Sequence, residues 1–173
     1  MRSLRQNLAQ YARYHRDPRN RATHYVGIPL IVVAVAVLLC RPQLELAGLR
    51  LPLAAVGAAA VIVYYGLLDL GLAALMAVFL ALAVWGGSWL AAQGTGAWLA
   101  AGLGGFVAGW VLQLVGHYFE GRKPAFVDDL IGLLIGPLFV LVEALFALGL
   151  YGQLRAQLRA DADATCTPSC MPS

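Results

Sequence analysis

The sequence predicts an all-α protein, a polytopic transmembrane helix bundle with an amphipathic N-terminal helix. Hydrophobic residues fill 61% of the 173 positions and charged residues only 12%, whereas a typical soluble domain has about 45–50% and about 25%. The apolar residues are gathered into about five runs, and one membrane crossing needs roughly 20 such residues. This composition excludes a soluble globular domain.

Residues 3–15 are predicted to form the amphipathic helix, with its apolar stripe facing lipid in the headgroup region. Asp17 and Pro18 end this helix, and Asn20 is expected to cap the next one, which places His24 in its first turns. Four side chains recur at the spacing of one helical face. They are Leu4, Leu8, Tyr11 and His15.

The five apolar runs follow this segment and predict the helices of the bundle. Their small residues should let the helices approach closely. Asp69 is expected to be a turn residue, and Gly136 with Pro137 could break the last run into a re-entrant element. The runs cover about 25–40, 52–68, 70–92, 97–116 and 130–151.

We expect a single domain over residues 1–155, composed of an interfacial segment (1–24) and a helix bundle (25–151). Residues 156–173 are expected to be a disordered tail. This tail contains Cys166 and Cys170, which are too few ligands for a metal site. The sequence does not define the oligomeric state.

The distribution of positive charge predicts the topology of the chain. Six arginines precede the first apolar run, and by the positive-inside rule they place the N-terminus in the cytoplasm, close to membrane lipid. Four crossings then return the chain to the same face at the 117–129 link, which carries Arg122 and Lys123. The expected location is a bacterial inner membrane, or the endoplasmic reticulum in a eukaryote. A net charge of +3 does not indicate a nucleic-acid partner.

The chain has three histidines, and all of them lie in the two polar segments predicted to share one membrane face. Three neutral imidazoles at one point could form the first coordination shell of Fe, Zn, Cu or Ni. The alternative is that each imidazole is a hydrogen-bonded anchor at the interface. The residues are His15, His24 and His117.

Glu120 follows His117 at a spacing that puts both side chains on one helical face, together with Gln113. It could bind a metal, orient His117 from the second shell, or form an ion pair with Arg122 or Lys123.

Glu143 lies inside the last apolar run, where an ionisable residue costs about 2.5–3.5 kcal/mol unless it is paired or faces a polar cavity. It is expected to belong to the site, or to be neutral and hydrogen-bonded to Tyr64 or Tyr65.

No motif of another chemistry is present. The sequence has no Gly-x-Ser-x-Gly elbow, no phosphate-binding Gly-Lys-Ser/Thr loop and no His-Glu-x-x-His. A haem between two histidines stays open, although the histidines lie at the ends of the apolar runs.

Two polar blocks of the chain resemble the Mpo1-like family, over about residues 1–155. The first block contains Tyr14, His15, Asn20, His24, Gly27, Pro29 and Leu30. The second contains Gln113, Gly116, His117, Glu120 and Pro124, and is followed by Gly136, Pro137 and Glu143. Arg16 stands where many members have a second histidine, and Asp129 stands where they have asparagine.

The resemblance implies an Fe(II)-dependent dioxygenase of fatty-acid α-oxidation, with a 2-hydroxy fatty acid and O2 as substrates. The product would be one carbon shorter. On this view the three histidines hold the iron, and Glu120 and Glu143 are catalytic as a further ligand or as outer-shell orienters. Arg16, Arg122 or Lys123 would bind the substrate carboxylate, and Arg13 is a further candidate. The alternatives are a non-enzymatic transporter or scaffold, and a zinc-dependent lipid hydrolase.

Overall fold

The computed structural model describes residues 2–46, 48–121 and 131–165. These residues form seven helices and one two-stranded hairpin, which confirms the predicted all-α fold. The elements in chain order are α1 (Leu4–Tyr14), α2 (Pro18–Leu39), β1 (Gln43–Leu46), β2 (Leu49–Pro52), α3 (Leu53–Gly66), α4 (Leu70–Ala92), α5 (Thr95–Glu120), α6 (Ile131–Ala147) and α7 (Gly152–Thr165).

Three helices of the described chain, α2, α4 and α5, are long and apolar enough to cross a membrane. Helix α3 has 14 residues and is about 21 Å long at 1.5 Å per residue, which is short of the roughly 30 Å hydrocarbon core. Helices α6 and α7 pass the same length test together but are bent by 113°. The last apolar run therefore forms one helix, α6, and the bend lies at the end of this run.

The bend does not lie at Gly136 and Pro137, where the sequence suggested a break. Both residues lie within α6, and the helix continues through them to Ala147. The chain turns further on, where Gly149 has φ +77° and Tyr151 has φ +55°. Glycine adopts this left-handed backbone without steric cost, which favours the turn at that point.

Helices α2 and α5 form an antiparallel pair in close contact through glycines. A Cβ atom on Gly109 would lie 2.5 Å from Ile31 Cγ1, and one on Gly102 would lie 2.4 Å from Leu38 Cδ2. The start of α2 therefore lies beside the end of α5, at the same end of the bundle. The expected small-residue packing is confirmed for this pair.

At the opposite end of the bundle, polar side chains form hydrogen bonds between the helix ends. The Arg41 guanidinium donates to the Ala91 carbonyl at 3.0 Å and to the Thr95 hydroxyl at 2.8 Å. The Trp98 indole N–H donates to the Val37 carbonyl at 2.8 Å. The ends of α2 and α4 and the start of α5 thus lie at one level.

The hairpin is an addition that the sequence analysis treated as a plain link. Its strands pair antiparallel, with Leu44 opposite Leu51 and Glu45 opposite Arg50. Alternating leucines and the turn at Gly48, where φ is +80°, are the signals that predict a hairpin. The alternation covers only ten residues between two long apolar runs, which was too short for the sequence analysis to distinguish a hairpin from an irregular link.

Helix α1 buries its apolar stripe against the protein and not against lipid. Leu8 is fully buried, and the Tyr11 ring lies 4.8 Å from the Phe139 ring of α6. Ser3 and Gln6 form a capping box at its start. The stripe itself is confirmed, but its partner is the core formed with α6.

Two boundaries differ from the sequence prediction. Asp17 caps α2, since its carboxylate accepts from the Arg19 N–H at 2.8 Å, and Pro18 takes the first helical position. Asn20 lies inside the helix and is fully buried. The expected disordered tail from 156 is helical as far as Thr165, while Cys166 and Cys170 lie outside the described residues.

We predict that Gly109→Ala lowers the free energy of unfolding by about 1–3 kcal/mol, because the new methyl group would overpack the α2–α5 contact. Gly104→Ala on the same helix is the matched control, since a Cβ there meets nothing within 4 Å. Denaturant unfolding of both variants in detergent measures the difference. Equal stability of the two variants would contradict the close glycine contact.

Candidate metal centre

The structure brings the three histidines together at the end of the α2–α5 pair. Their side chains are buried, with 3%, 4% and 7% exposure for His15, His24 and His117. One ring nitrogen from each lies within 4.8 Å of the other two. The ring centroids are 4.6–5.2 Å apart and the rings meet edge to face.

His15 lies between α1 and α2, and its orientation is fixed by α1. Its Nδ1–H donates to the Tyr11 carbonyl at 2.8 Å, and its ring stacks on the Tyr11 ring at 4.0 Å. Because Nδ1 carries the proton, Nε2 keeps its lone pair. Nε2 is buried and has no hydrogen-bond partner among the described residues. Burial lowers the pKa of His15 to about 4, which keeps the imidazole neutral at pH 7.

His24 is oriented in the same way by its own helix. Its Nδ1–H donates to the Asn20 carbonyl at 2.8 Å, one turn earlier in α2. Gly116 of α5 provides the room for this ring, since a Cβ there would lie 3.1 Å from His24 Nδ1. The next residue of α5 is His117, whose Nδ1 is buried without a partner in the described chain.

The donor set fits a transition-metal ion. Three neutral imidazoles suit Fe, Zn, Cu or Ni, and buried nitrogens without partners are costly unless a ligand engages them. Nitrogens that share an ion at about 2.1 Å lie at most about 4.2 Å apart. Rings whose nitrogens are up to 4.8 Å apart would therefore draw together slightly on binding.

Glu120 joins the end of α5 to the turn that carries His15. Its carboxylate accepts from the backbone N–H of Arg16 at 3.0 Å, the backbone N–H of Asp17 at 2.9 Å and the Asn20 side-chain amide at 3.0 Å. It does not belong to the group of three converging ligand atoms. The alternative pair with Arg122 or Lys123 falls outside the described residues.

Glu143 lies away from the three imidazoles, on the side of α6 that faces α2. Its carboxylate forms an ion pair with Arg21 and accepts from the Tyr25 hydroxyl at 3.3 Å. Tyr65, one of the two expected partners, has a different acceptor, since its hydroxyl donates to the Leu134 carbonyl at 2.6 Å. The sequence analysis could not identify the true partner because Arg21 is 122 positions away.

The structure describes only some of the cationic residues that were predicted to bind the substrate carboxylate. The Arg16 side chain is exposed next to His15, while Arg122 and Lys123 lie outside the described residues. Arg21 was not predicted as a site residue, yet its positive charge contributes to the lowered pKa of His15. Asn20 was expected only as a cap, and its buried side chain instead holds Glu120.

An apolar pocket leads away from the histidines between α2, α5 and α6. Along α2 it extends from His24 to Val32, about 12 Å at the helical rise. Gln113 and Trp110 had no predicted role, although Gln113 shares a helical face with His117. The lining residues are Tyr11, His15, His24, Ile28, Ile31, Val32, Trp110, Gln113, His117, Gly132, Leu133, Gly136 and Pro137.

Fold and site together define a membrane-type helical protein with a candidate metal centre of three imidazoles. A sequence model of the family described as "2-hydroxy-palmitic acid dioxygenase Mpo1-like" matches residues 1–148. The chain is 33% identical over 160 residues to 2-hydroxy-palmitic acid dioxygenase MPO1 of Saccharomyces cerevisiae, a match that covers 91% of this chain and 88% of that protein. No solved structure gives a significant match. The chain belongs to the Mpo1-like family, as its two polar blocks predicted.

This membership confirms the expected class of protein. The family description and the name of the yeast relative both specify a dioxygenase, and dioxygenases are oxidoreductases. The identity of a bound metal ion is not part of either description.

We predict that Glu120→Ala lowers the affinity for Fe(II) or Zn(II) by about 10–100-fold, a typical effect of removing an outer-shell partner. The loss arises because the turn that carries His15 is released from α5. Glu45→Ala is the matched control, since Glu45 is exposed and forms an ion pair with exposed Arg50 on the hairpin, at the other end of the bundle. Anaerobic metal titration of both variants measures the effect, and equal affinities would exclude a positioning role for Glu120.

Proposed function

We propose that this protein is an Fe(II)-dependent dioxygenase that converts 2-hydroxy fatty acids into fatty acids one carbon shorter. The observation that carries the proposal is the position of three buried imidazoles at one end of an apolar pocket. The yeast relative, which is named a 2-hydroxy-palmitic acid dioxygenase, supports the choice of substrate.

The pocket and the substrate have matching chemistry. A 2-hydroxy carboxylate has two neighbouring oxygens that can chelate an ion held by the histidines, while its acyl chain fits among apolar residues such as Ile28, Val32 and Leu133. The overall reaction balances when a 2-hydroxy acid and O2 give the shorter acid, CO2 and water. The C1–C2 bond breaks, C2 is oxidised to the new carboxylate, and O2 is reduced. Bound iron would supply the redox chemistry with O2.

The protein's own residues then have distinct roles. His15, His24 and His117 hold the ion, and their carbonyl partners fix the rings of the first two. Glu120 acts as an outer-shell orienter by holding the His15 turn. Glu143 acts further out, through its ion pair with Arg21, whose positive charge lowers the pKa of His15.

The substrate carboxylate needs positive charge near the metal. Arg16, Arg122 and Lys123 are proposed to neutralise it at the rim of the site. Arg21 is a further candidate, since its guanidinium is partly buried and its charge acts on His15.

The site is proposed to face the cytoplasm from a bacterial inner membrane, or from the endoplasmic reticulum in a eukaryote. The arginines that precede Tyr25 favour this orientation under the positive-inside rule. A substrate dissolved in the bilayer could then enter the pocket tail first while its polar head stays at the membrane surface.

Metal analysis of the full chain, purified anaerobically in detergent, tests the proposal together with an oxygen electrode. Stoichiometric iron and O2 consumption with 2-hydroxyhexadecanoic acid are expected, with pentadecanoic acid as the product. Stoichiometric zinc with ester hydrolysis would favour a lipid hydrolase. A chain with neither metal nor turnover would be a transporter or scaffold, and the proposal would fail.

We predict that His15→Ala, His24→Ala and His117→Ala each lose most of the bound iron and reduce O2 consumption to background. Each variant leaves two imidazoles, too few to hold the ion firmly. Tyr11→Phe is the matched control in the same pocket, because it keeps the stacked ring and the backbone carbonyl that orients His15. Full iron content in any histidine variant would remove that residue from the ligand set.

A further inference from the structure

Gln113 is a polar side chain of the pocket whose donor group has no partner in the described part of the chain. It lies on α5, one turn before His117, and lines the pocket with the three histidines. The side chain is only 7% exposed, and its Nε2 is buried with no hydrogen-bond partner among the described residues. An unsatisfied buried donor is unfavourable and calls for a physical explanation.

The neighbouring helix leaves space for this amide. Gly27 of α2 lies opposite Gln113, and a Cβ at that position would lie 2.6 Å from Gln113 Nε2. Any larger residue there would therefore displace the amide. Glycine at this position therefore leaves space for a polar group between two apolar helices. It has no side chain that could accept a hydrogen bond from that group.

The imidazoles and the Gln113 amide are the polar groups at the histidine end of the pocket, and the Trp110 indole lies one turn further along α5. Beyond Gln113 the lining of α2 and α6 consists of side chains with no hydrogen-bonding groups: Ile28, Ile31, Val32, Leu133 and Pro137. An acyl chain would meet these residues, and the head group would lie at the histidine end. An amide N–H at that end has a head-group oxygen as its natural acceptor.

We propose that Gln113 is a substrate-binding residue, whose amide donates a hydrogen bond to an oxygen of the 2-hydroxy-carboxylate head group. This inference rests on the proposed function and adds a recognition element to it. Sites that contain a buried donor for a substrate oxygen discriminate strongly against molecules that lack that oxygen. The amide therefore helps to select lipids whose head group has an oxygen at this position.

The test is Gln113→Met, which keeps the length of the side chain and removes the donor. Anaerobic iron-loaded protein is titrated with 2-hydroxyhexadecanoic acid and with hexadecanoic acid. Binding of the hydroxy acid should weaken about 10–100-fold, as expected for a hydrogen bond to a charged or metal-bound oxygen. A weakening of the hydroxy acid alone locates the contact at the hydroxyl, and a weakening of both acids locates it at the carboxylate. Both results support the proposal.

Stability provides a readout that separates ligand binding from a structural role. Because no described residue accepts a hydrogen bond from Nε2, Gln113→Met should keep its iron content and should unfold at the same or a higher temperature than the parent. A structural amide would instead destabilise the protein when replaced. Gln93→Met, on an exposed residue at the far end of α4, is the matched control and should change neither quantity.

Unchanged binding of the hydroxy acid in Gln113→Met would overturn the inference, as would a lowered unfolding temperature with loss of iron. If Gln113→Met does not fold, Gln113→Leu provides the same comparison, because it also removes the donor without adding a charge. Failure of the proposed function is a separate result, visible in the unmodified protein as no O2 consumption with any 2-hydroxy acid.

Discussion

The close approach of α2 and α5 is the contact on which the rest of the molecule depends. Glycines at Gly27, Gly109 and Gly116 remove the side chains that would hold the two backbones apart. In an apolar environment helices gain little from hydrophobic burial against each other, so tight packing of small residues drives their association. The antiparallel register of this pair places His24 directly beside His117.

A second constraint is that imidazoles buried at the end of a helix bundle need hydrogen-bond partners. Backbone carbonyls of Tyr11 and Asn20 accept the Nδ1–H of His15 and His24, and this leaves the other nitrogen of each ring as a lone-pair donor. Glu120 then fixes the turn of His15 against α5. The same bonds that stabilise the polar groups therefore also prepare them for a metal ion.

The polar atoms left without partners are concentrated around the pocket. Those of His15, His117 and Gln113 are buried and unpaired in the described chain, which is unfavourable in the free protein. An ion and an oxygen-rich head group would satisfy all three. This pattern is typical of a functional site, where stability is given up so that a ligand can restore it.

The sequence by itself determined the helical membrane-type fold, the family and the identity of the three histidines, because composition, apolar run length and polar spacing are local properties. It did not determine which distant charges pair: it did not identify Arg21 as the partner of Glu143, and it assigned the cap of α2 to Asn20 although Asp17 caps that helix. The tertiary structure alone decided that α1 packs on α6, that Glu120 holds the His15 turn and that Gln113 faces the pocket. The physical reason is that these contacts depend on helix rotation and depth, which interchangeable apolar residues do not encode locally.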